Sequence, residues 1–365
     1  MVDVSILIPH YNNPKILAPC LESLCGLEQG TPTHTVTVID DGSTDNSVEW
    51  IHENHPEVEA IERSENGGFI AAISEGVHNT AGEILVFLNN DTRVEAEWLT
   101  RLVDPLLSGK VAGATGSILM DWEGERALFK GGSLNYLGFG FEDRGELPNS
   151  DGDLVPLLFV CGGAMAIPRR LYFDTGGFDE SYVSLYEDLD LGWRLNLLGY
   201  GCFLAPGSRV AHRGHASYGK QSFERKASHY IGNSLRTVFK NWDGRDHLER
   251  MELVVTLAQA RERVCLMGED LRKGFWQRFG SWLGGQASSG PIVDSLVREE
   301  ERTRSLATKR KWIQERRKTS SSELFQRFVP NPTRGWFYDE EQNRLLEEKG
   351  YWELERRMYA KYGPL

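Results

Sequence analysis

Three carboxylates, Glu187, Asp188 and Asp190, stand within four consecutive positions, among Leu185, Tyr186, Leu189 and Leu191 and just ahead of Trp193 and Arg194. Acidic groups in such apolar company are costly unless a metal ion, a cation or a proton taken from a substrate compensates them. Two more acidic stretches each follow an apolar run: Asp40-Asp41-Gly42-Ser43 after Val38-Ile39, and Asn89-Asn90-Asp91 after Leu85-Val86-Phe87-Leu88. Carboxylates that recur where buried strands end predict one acidic site at the edge of a parallel sheet. A hard divalent cation at Asp91 needs only one or two protein carboxylates when the oxygens of a diphosphate complete its shell.

The elements that must position these residues alternate. Strands are expected at 5–8, 35–39, 58–61 and 84–88, and helices at 14–26, 47–54 and 69–79. Short apolar runs separated by helices predict an α/β fold whose mostly parallel sheet is covered on both faces. Residues 111–156 are irregular and Gly-rich, and are expected to form antiparallel strands and loops on the acceptor side. A strand at 160–168, a short helix at 169–175, a helix at 189–198 and a strand at 202–210 follow, ending just before His212. Beyond Asp243 the pattern becomes helical: 248–273, a Gly/Ser-rich break at 280–290, a charged helix at 292–318, a looser connection at 320–335, and a terminal helix at 340–359. This divides the chain into 1–243 and a helical 244–365.

Each motif also has a plainer reading. Asp91 could cap a helix beginning near Glu95. Asp40 to Asp45 could be turn chemistry, with Asp45 or Ser47 capping the next helix. Tyr11, in Pro9-His10-Tyr11-Asn12, offers an aromatic face to a nucleobase or simply packs. Asn66-Gly67-Gly68-Phe69 suits backbone contact with a phosphate ahead of a helix, or a turn. Cys161-Gly162-Gly163-Ala164 allows a substrate close to the backbone, or tight packing. His212 is a candidate third metal ligand, with His215 as a substitute.

Composition narrows the classes. A net charge of −12 argues against a general nucleic-acid binder. No run reaches the length of a membrane span, and the N-terminus shows no signal-peptide pattern. The five cysteines, Cys20, Cys25, Cys161, Cys202 and Cys265, show neither a disulfide framework nor zinc spacing, which fits a cytoplasmic setting. Cys20 and Cys25 are both expected to pack within a helix.

The motifs in this order resemble an inverting family 2 glycosyltransferase of the GT-A nucleotide-diphospho-sugar transferase fold, rhamnosyltransferase-like. Carrying the resemblance are Ser5 to Asn12, Asp40 to Asp45, Asn66 to Phe69, Phe87 to Thr92, Gly162 to Ala164, Gly176 to Glu180, Tyr186 to Arg194, His212 and Asn233. It implies that Tyr11 and Asp41, with Pro9, Asp40, Asn66, Gly68, Asn89 and Asn90, hold the donor nucleotide, dTDP- or UDP-linked. It also implies that Asp91 and His212 hold Mg²⁺ or Mn²⁺, and that Asp188 is the general base. Gly162, Gly163, Glu187, Trp193 and Arg194 would lie on the acceptor side. Three departures stand out. Asn89 replaces the first Asp of the usual Asp-x-Asp, and Ser74 stands where Asn is common. The Gln-x-x-Arg-Trp motif of processive synthases is missing after His212. Transfer of one or a few sugars is expected, from dTDP-L-rhamnose or another nucleotide sugar to a surface-glycan or lipid-linked saccharide.

The C-terminal part adds Arg302, Arg304, Lys309, Arg310, Lys311, Arg316, Arg317 and Lys318 beside Trp312, with Phe275, Trp276, Phe279 and Trp282 upstream. Basic residues beside aromatics suit peripheral association with the inner face of an anionic membrane; a solvated helix packed on the rest of the chain is the alternative. An oligomer is compatible with the sequence. The competing functions are a non-catalytic glycan- or nucleotide-binding subunit and a nucleotidyltransferase. Asp91, Asp188 and His212 together argue against the first. The second normally carries a Gly-rich basic triphosphate loop, which Pro9 to Asn13 is not.

Overall fold

The N-terminal apolar runs form strands buried on both faces, as a sheet sandwiched by helices requires. The structure is a computed structural model that describes residues 3–135, 137–148, 151–182, 185–214, 223–244, 247–268, 270, 300–329 and 340–362. The chain begins β1 (Val4–His10), α1 (Pro14–Cys25), β2 (His34–Asp40), α2 (Ser47–Asn54), β3 (Glu59–Glu62), α3 (Phe69–Asn79) and β4 (Ile84–Leu88). These strands pair in parallel, β1 lying between β4 and β2 and β3 outside β2. His10 stands opposite Asp40, and Leu7 opposite Phe87. The residues following β1, β2 and β4 therefore emerge along one sheet edge, where ligands of such sheets bind.

The next elements are β5 (Thr92–Val94), α4 (Trp98–Leu107), β6 (Ala114–Met120), β7 (Ala127–Phe129), β8 (Gly132–Leu134), β9 (Gly140–Glu142), β10 (Val155–Leu157), β11 (Ala164–Pro168), α5 (Arg169–Asp174), α6 (Glu187–Leu197) and β12 (Cys202–His212). Among the described residues the main sheet runs β10-β12-β6-β11-β4-β1-β2-β3, with β5 on β12 and β7 on β6. β11 is antiparallel to both β4 and β6, and β12 is parallel to β6. The result is a mixed α/β sheet flanked by helices, parallel through its N-terminal half.

The expectation of an irregular stretch from 111 onward is corrected by β6, a fully buried strand in the middle of the sheet. Its polar residues disguise it, but each finds a partner inside. Thr115 Oγ1 donates to the Leu102 carbonyl at 2.7 Å, and Ser117 Oγ meets Trp98 Nε1 and Ser208 Oγ, each at 2.9 Å. A buried hydroxyl with its hydrogen bonds made costs little. Cys20 packs in the core as expected, whereas Cys25, the last residue of α1, is exposed.

The chain forms two compact units, Met1–Ser133 with Glu142–Lys220, and Leu134–Phe141 with Gln221–Leu365. The second contains α7 (Phe223–Asn241), α8 (His247–Met267), α9 (Glu300–Arg316), α10 (Ser321–Phe328), α11 (Glu340–Glu348) and α12 (Tyr351–Tyr362). Two expectations change here. The segment expected as a loose connection holds α10, opened by a capping box between Ser320 and Glu323 and anchored by buried Leu324 and Phe325. The single terminal helix is two, parted at Lys349 and Gly350. The charged helix α9 spends part of its basic face within this unit. Arg310 donates to the carbonyls of Phe239 and Trp242, Gln314 to those of Lys240 and Asn241, and Arg317 pairs with Asp243 at 2.7 Å. These are the last carbonyls of α7, which carry the negative end of its dipole.

Candidate active site

β5 and β12 pair antiparallel with Thr92 opposite His212. That register brings Asp91 Oδ1 to 3.0 Å from His212 Nε2, both side chains being largely buried. Asp91 therefore precedes a strand, not a helix; α4 starts only at Trp98, so the capping alternative falls. Asn89 Nδ2 lies 3.5 Å from the same imidazole nitrogen, and the Asn89 N–H donates to the Gly163 carbonyl at 2.9 Å. Next to it, the Gly162 N–H donates to Asp188 Oδ2 at 2.9 Å. The Gly162-Gly163 backbone thus links the Asp91–His212 pair to Asp188. A Cβ at 163 would lie 2.7 Å from Asn89 Nδ2 and push that amide from its place beside His212.

Asp188 sits in the first turn of α6, which begins two residues earlier than the apolar pattern suggests, at Glu187. Leu185 and Tyr186 before it are left-handed, with φ of 66° and 75°. Side-chain-bearing residues persist there only when their surroundings hold them, and such strain gathers at functional sites. Asp188 Oδ1 accepts the Leu189 N–H at 2.7 Å. Burial pushes the Asp188 carboxyl up to about 6 against the pull of its two amide hydrogen bonds. Burial, then the Asp188 charge, pushes Glu187 up to about 8. Glu187 Oε2 is buried and has no hydrogen-bond partner among the described residues. A carboxylate near neutrality is suited to accept a hydroxyl proton.

Trp193 and Arg194 are not brought to this cleft. Trp193 is fully buried, and the Arg194 guanidinium pairs with Asp190 at 3.0 Å and donates to the Thr175 and Gly177 carbonyls. Arg194 therefore ties α6 to the 175–177 turn.

At the ends of β1 and β2, Tyr11 stands 46% exposed, free to present its ring. Its loop is held by the Asn12 N–H donating to Ser43 Oγ and by Asn12 Oδ1 accepting the Thr44 N–H, both at 2.8 Å. The two acids of the Asp40-Asp41 pair differ. Asp41 accepts the Gly67 and Gly68 N–H groups at 3.0 and 2.7 Å and pairs with Arg63, so its carboxylate is spent on fixing the Asn66-Gly67-Gly68 loop. Asp40 Oδ2 accepts the Ser43 N–H at 2.8 Å, a turn contact, while its buried Oδ1 has no partner among the described residues. Pro9 lies in β1, and Asn66 is exposed.

Sequence reasoning missed a polar chain under this floor. Asn90 Nδ2 lies 2.9 Å from His10 Nδ1, His10 Nε2 lies 3.0 Å from Ser47 Oγ, and Ser47 Oγ donates to Asp45 Oδ1 at 2.5 Å. An amide donor at Nδ1 places the His10 proton on Nε2, and burial lowers its pKa. His10 was in view within Pro9-His10-Tyr11-Asn12, but nothing in the sequence announces Ser47 or Arg63 as partners.

The Asp91–His212 donor set fits a hard divalent cation. One carboxylate oxygen and one imidazole nitrogen 3.0 Å apart have the spacing of adjacent ligands around an ion at about 2.1 Å from each. His215 lies outside the described residues.

Residues 5–173 match the family described as "Glycosyl transferase family 2". The chain is 25% identical over 221 residues to an N-acetylglucosaminyl-diphospho-decaprenol L-rhamnosyltransferase of Mycobacterium tuberculosis, covering 54% of this chain and 72% of that protein. It is 27% identical over 231 residues to the O-antigen biosynthesis protein RfbC of Myxococcus xanthus, covering 59% of this chain but only 17% of the relative. The fold is shared with the crystal structure of GalNAc-T7 with UDP, GalNAc and Mn²⁺, at a TM-score of 0.56 and 19% identity over 71% of this chain and 51% of that one. Through residues 5–173, then, the chain is similar to glycosyl transferase family 2, and the comparisons support reading it as a glycosyltransferase.

Proposed function

We propose that this enzyme transfers a sugar, with inversion and with the help of a divalent cation, from a nucleotide-diphospho-sugar to a hydroxyl of a saccharide acceptor. The observation that carries the reading is the continuous path Asp91–His212–Asn89–Gly163–Gly162–Asp188. It supports reading Asp91 and His212 as a cation-binding pair linked to a carboxylate that burial raises to about 6. Asp91 and His212 would hold Mg²⁺ or Mn²⁺, which when bound neutralises charge developing on a nucleoside diphosphate leaving group. Asp188 accepts the proton of the attacking hydroxyl as that oxygen bonds to the anomeric carbon. One displacement inverts the centre, and no covalent intermediate is needed. Tyr11 supplies a face for the base, and Asp40 Oδ1 supplies an acceptor suited to the N3–H of uracil or thymine.

For the donor we propose dTDP-L-rhamnose, and for the acceptor a lipid-linked saccharide, in keeping with the printed name of the mycobacterial relative. Such an acceptor implies work at a membrane surface. Arg304, Lys311, Arg316 and Lys318 are exposed, and no helix among the described residues is long and apolar enough to cross a membrane. The aromatic cluster Phe275 to Trp282 lies outside the described residues. The test is a thermal-shift panel of dTDP-, UDP- and GDP-sugars with and without Mn²⁺, followed by product analysis with the nucleotide that binds. Stabilisation by dTDP-rhamnose that requires the cation is expected. Binding of UDP-sugars alone would overturn the rhamnose donor, and equal binding without any cation would overturn the role of Asp91 and His212.

A further inference from the structure

We propose that Cys25, His55 and Glu57 form a zinc-binding site separate from the Asp91–His212 pair. Cys25 ends α1, His55 caps the C-terminus of α2, and Glu57 stands just before β3. All three therefore lie at the edge of the sheet where the parallel strands begin, opposite the edge that carries the catalytic motifs.

One ligand atom from each lies within 4.8 Å of the others. Cys25 Sγ is 3.4 Å from Glu57 Oε1, and His55 Nδ1 is 3.5 Å from the same oxygen. A tetrahedral zinc ion with sulfur at about 2.3 Å and nitrogen and oxygen at about 2.1 Å separates its ligands by about 3.4–3.6 Å. Both separations from Glu57 match that geometry, and the third, between Cys25 and His55, lies within 4.8 Å.

The imidazole is aimed in advance. The His55 N–H donates to the Ile51 carbonyl at 2.8 Å, its carbonyl accepts the Val58 N–H at 3.0 Å, and its ring packs on Trp50 with centroids 5.3 Å apart. Cys25 and Glu57 are exposed, which gives an ion a path in and leaves a fourth position to water. Without a cation the thiol keeps its proton, since partial burial and the Glu57 and Glu22 carboxylates raise its pKa. A bound ion displaces that proton and converts the repulsion into attraction. Thiolate, imidazole and carboxylate together favour zinc over Mg²⁺ or Mn²⁺, whereas the thiol-free Asp91–His212 pair suits the harder ions. A zinc ion here would clamp the ends of α1 and α2 to the start of β3.

The experiment uses the full chain without a polyhistidine tag, titrated with Co²⁺ and then challenged with Zn²⁺. The expected result is a thiolate-to-cobalt charge-transfer band that saturates at one equivalent and is erased by zinc. Excess Mn²⁺ should leave it intact. Cys25→Ser should abolish the band, and Glu57→Gln should weaken zinc binding about tenfold or more. Both positions are exposed, so both variants keep the fold, and Asp91→Ala should retain the band. A wild-type protein with no such band, or an unchanged band in Cys25→Ser, overturns the proposal.

Discussion

Glu187 offers a test in which stability, not activity, reports on the active site. Its carboxyl is raised from an ordinary 4.5 to about 8 by burial and by Asp188, with Oε2 unpartnered among the described residues. Because the folded-state value lies above the unfolded one, the folded protein binds the extra proton. The group's contribution to stability is then fully present below about 4.5 and declines as pH rises to about 8. Glu187→Gln removes the titration while keeping the shape. The variant should exceed wild type by about 2 kcal/mol at pH 6 and about 4 kcal/mol at pH 8, a rise of about 1 kcal/mol per unit. Urea unfolding of both proteins at pH 6, 7 and 8, followed by tryptophan fluorescence, measures the difference; buried Trp98 and Trp193 report on the same unit. A difference independent of pH, or a variant less stable than wild type at pH 8, refutes the reasoning.

The catalytic assignments can be checked more directly. Asp188→Asn should lower turnover by about 10²- to 10⁴-fold with donor binding intact. In wild type, kcat/KM should fall on the acid side of pH 6, reaching about a tenth of its plateau at pH 5, since only ionised Asp188 accepts a proton; a flat profile would exclude it. Asp91→Ala and His212→Ala should each abolish Mn²⁺-dependent stabilisation by nucleotide sugar in thermal shift, as chelation should in wild type. Asp40→Asn keeps the Ser43 contact but turns an amide donor toward the base, so nucleotide affinity measured by calorimetry should drop about 10- to 100-fold. Asp41→Asn should instead cost about 1–3 kcal/mol of stability by loosening the Gly67–Gly68 loop and Arg63. The protein should float with anionic but not neutral liposomes, and absence from anionic vesicles would remove the membrane reading.

Much of the fold could be read in advance because its N-terminal strands are continuous apolar runs between well-marked helices. β6 escaped because Thr115 and Ser117 are polar in sequence and satisfied only by residues distant in it, such as Ser208. The start of α6 escaped because two left-handed residues, not a capping side chain, set it. At the site, a position after a buried strand nominated Asp91 and order along the chain nominated His212, while the family resemblance gave Asp188 its role. It could not divide labour between Asp40 and Asp41, which depends on where the 66–68 loop returns. The resemblance put Arg194 on the acceptor side; the helix turns it toward Asp190 and the 175–177 carbonyls instead. His55 and Glu57 stand two residues apart in one connection, but nothing in the sequence brings Cys25, thirty residues upstream at the end of α1, to them.

The register that sets Thr92 against His212 has an evolutionary corollary. The two ligand candidates stand at the ends of strands joined by a ladder of backbone bonds, so their spacing is set by that register and not by the length of the 120 intervening residues. Changes confined to β7 to β10 leave that pairing in place, whereas Gly162, Gly163 and Asp188, in the same excursion, are tied to the site itself. A chain built this way can vary its middle strands while the sheet pairing that fixes Asp91 against His212 stays constant.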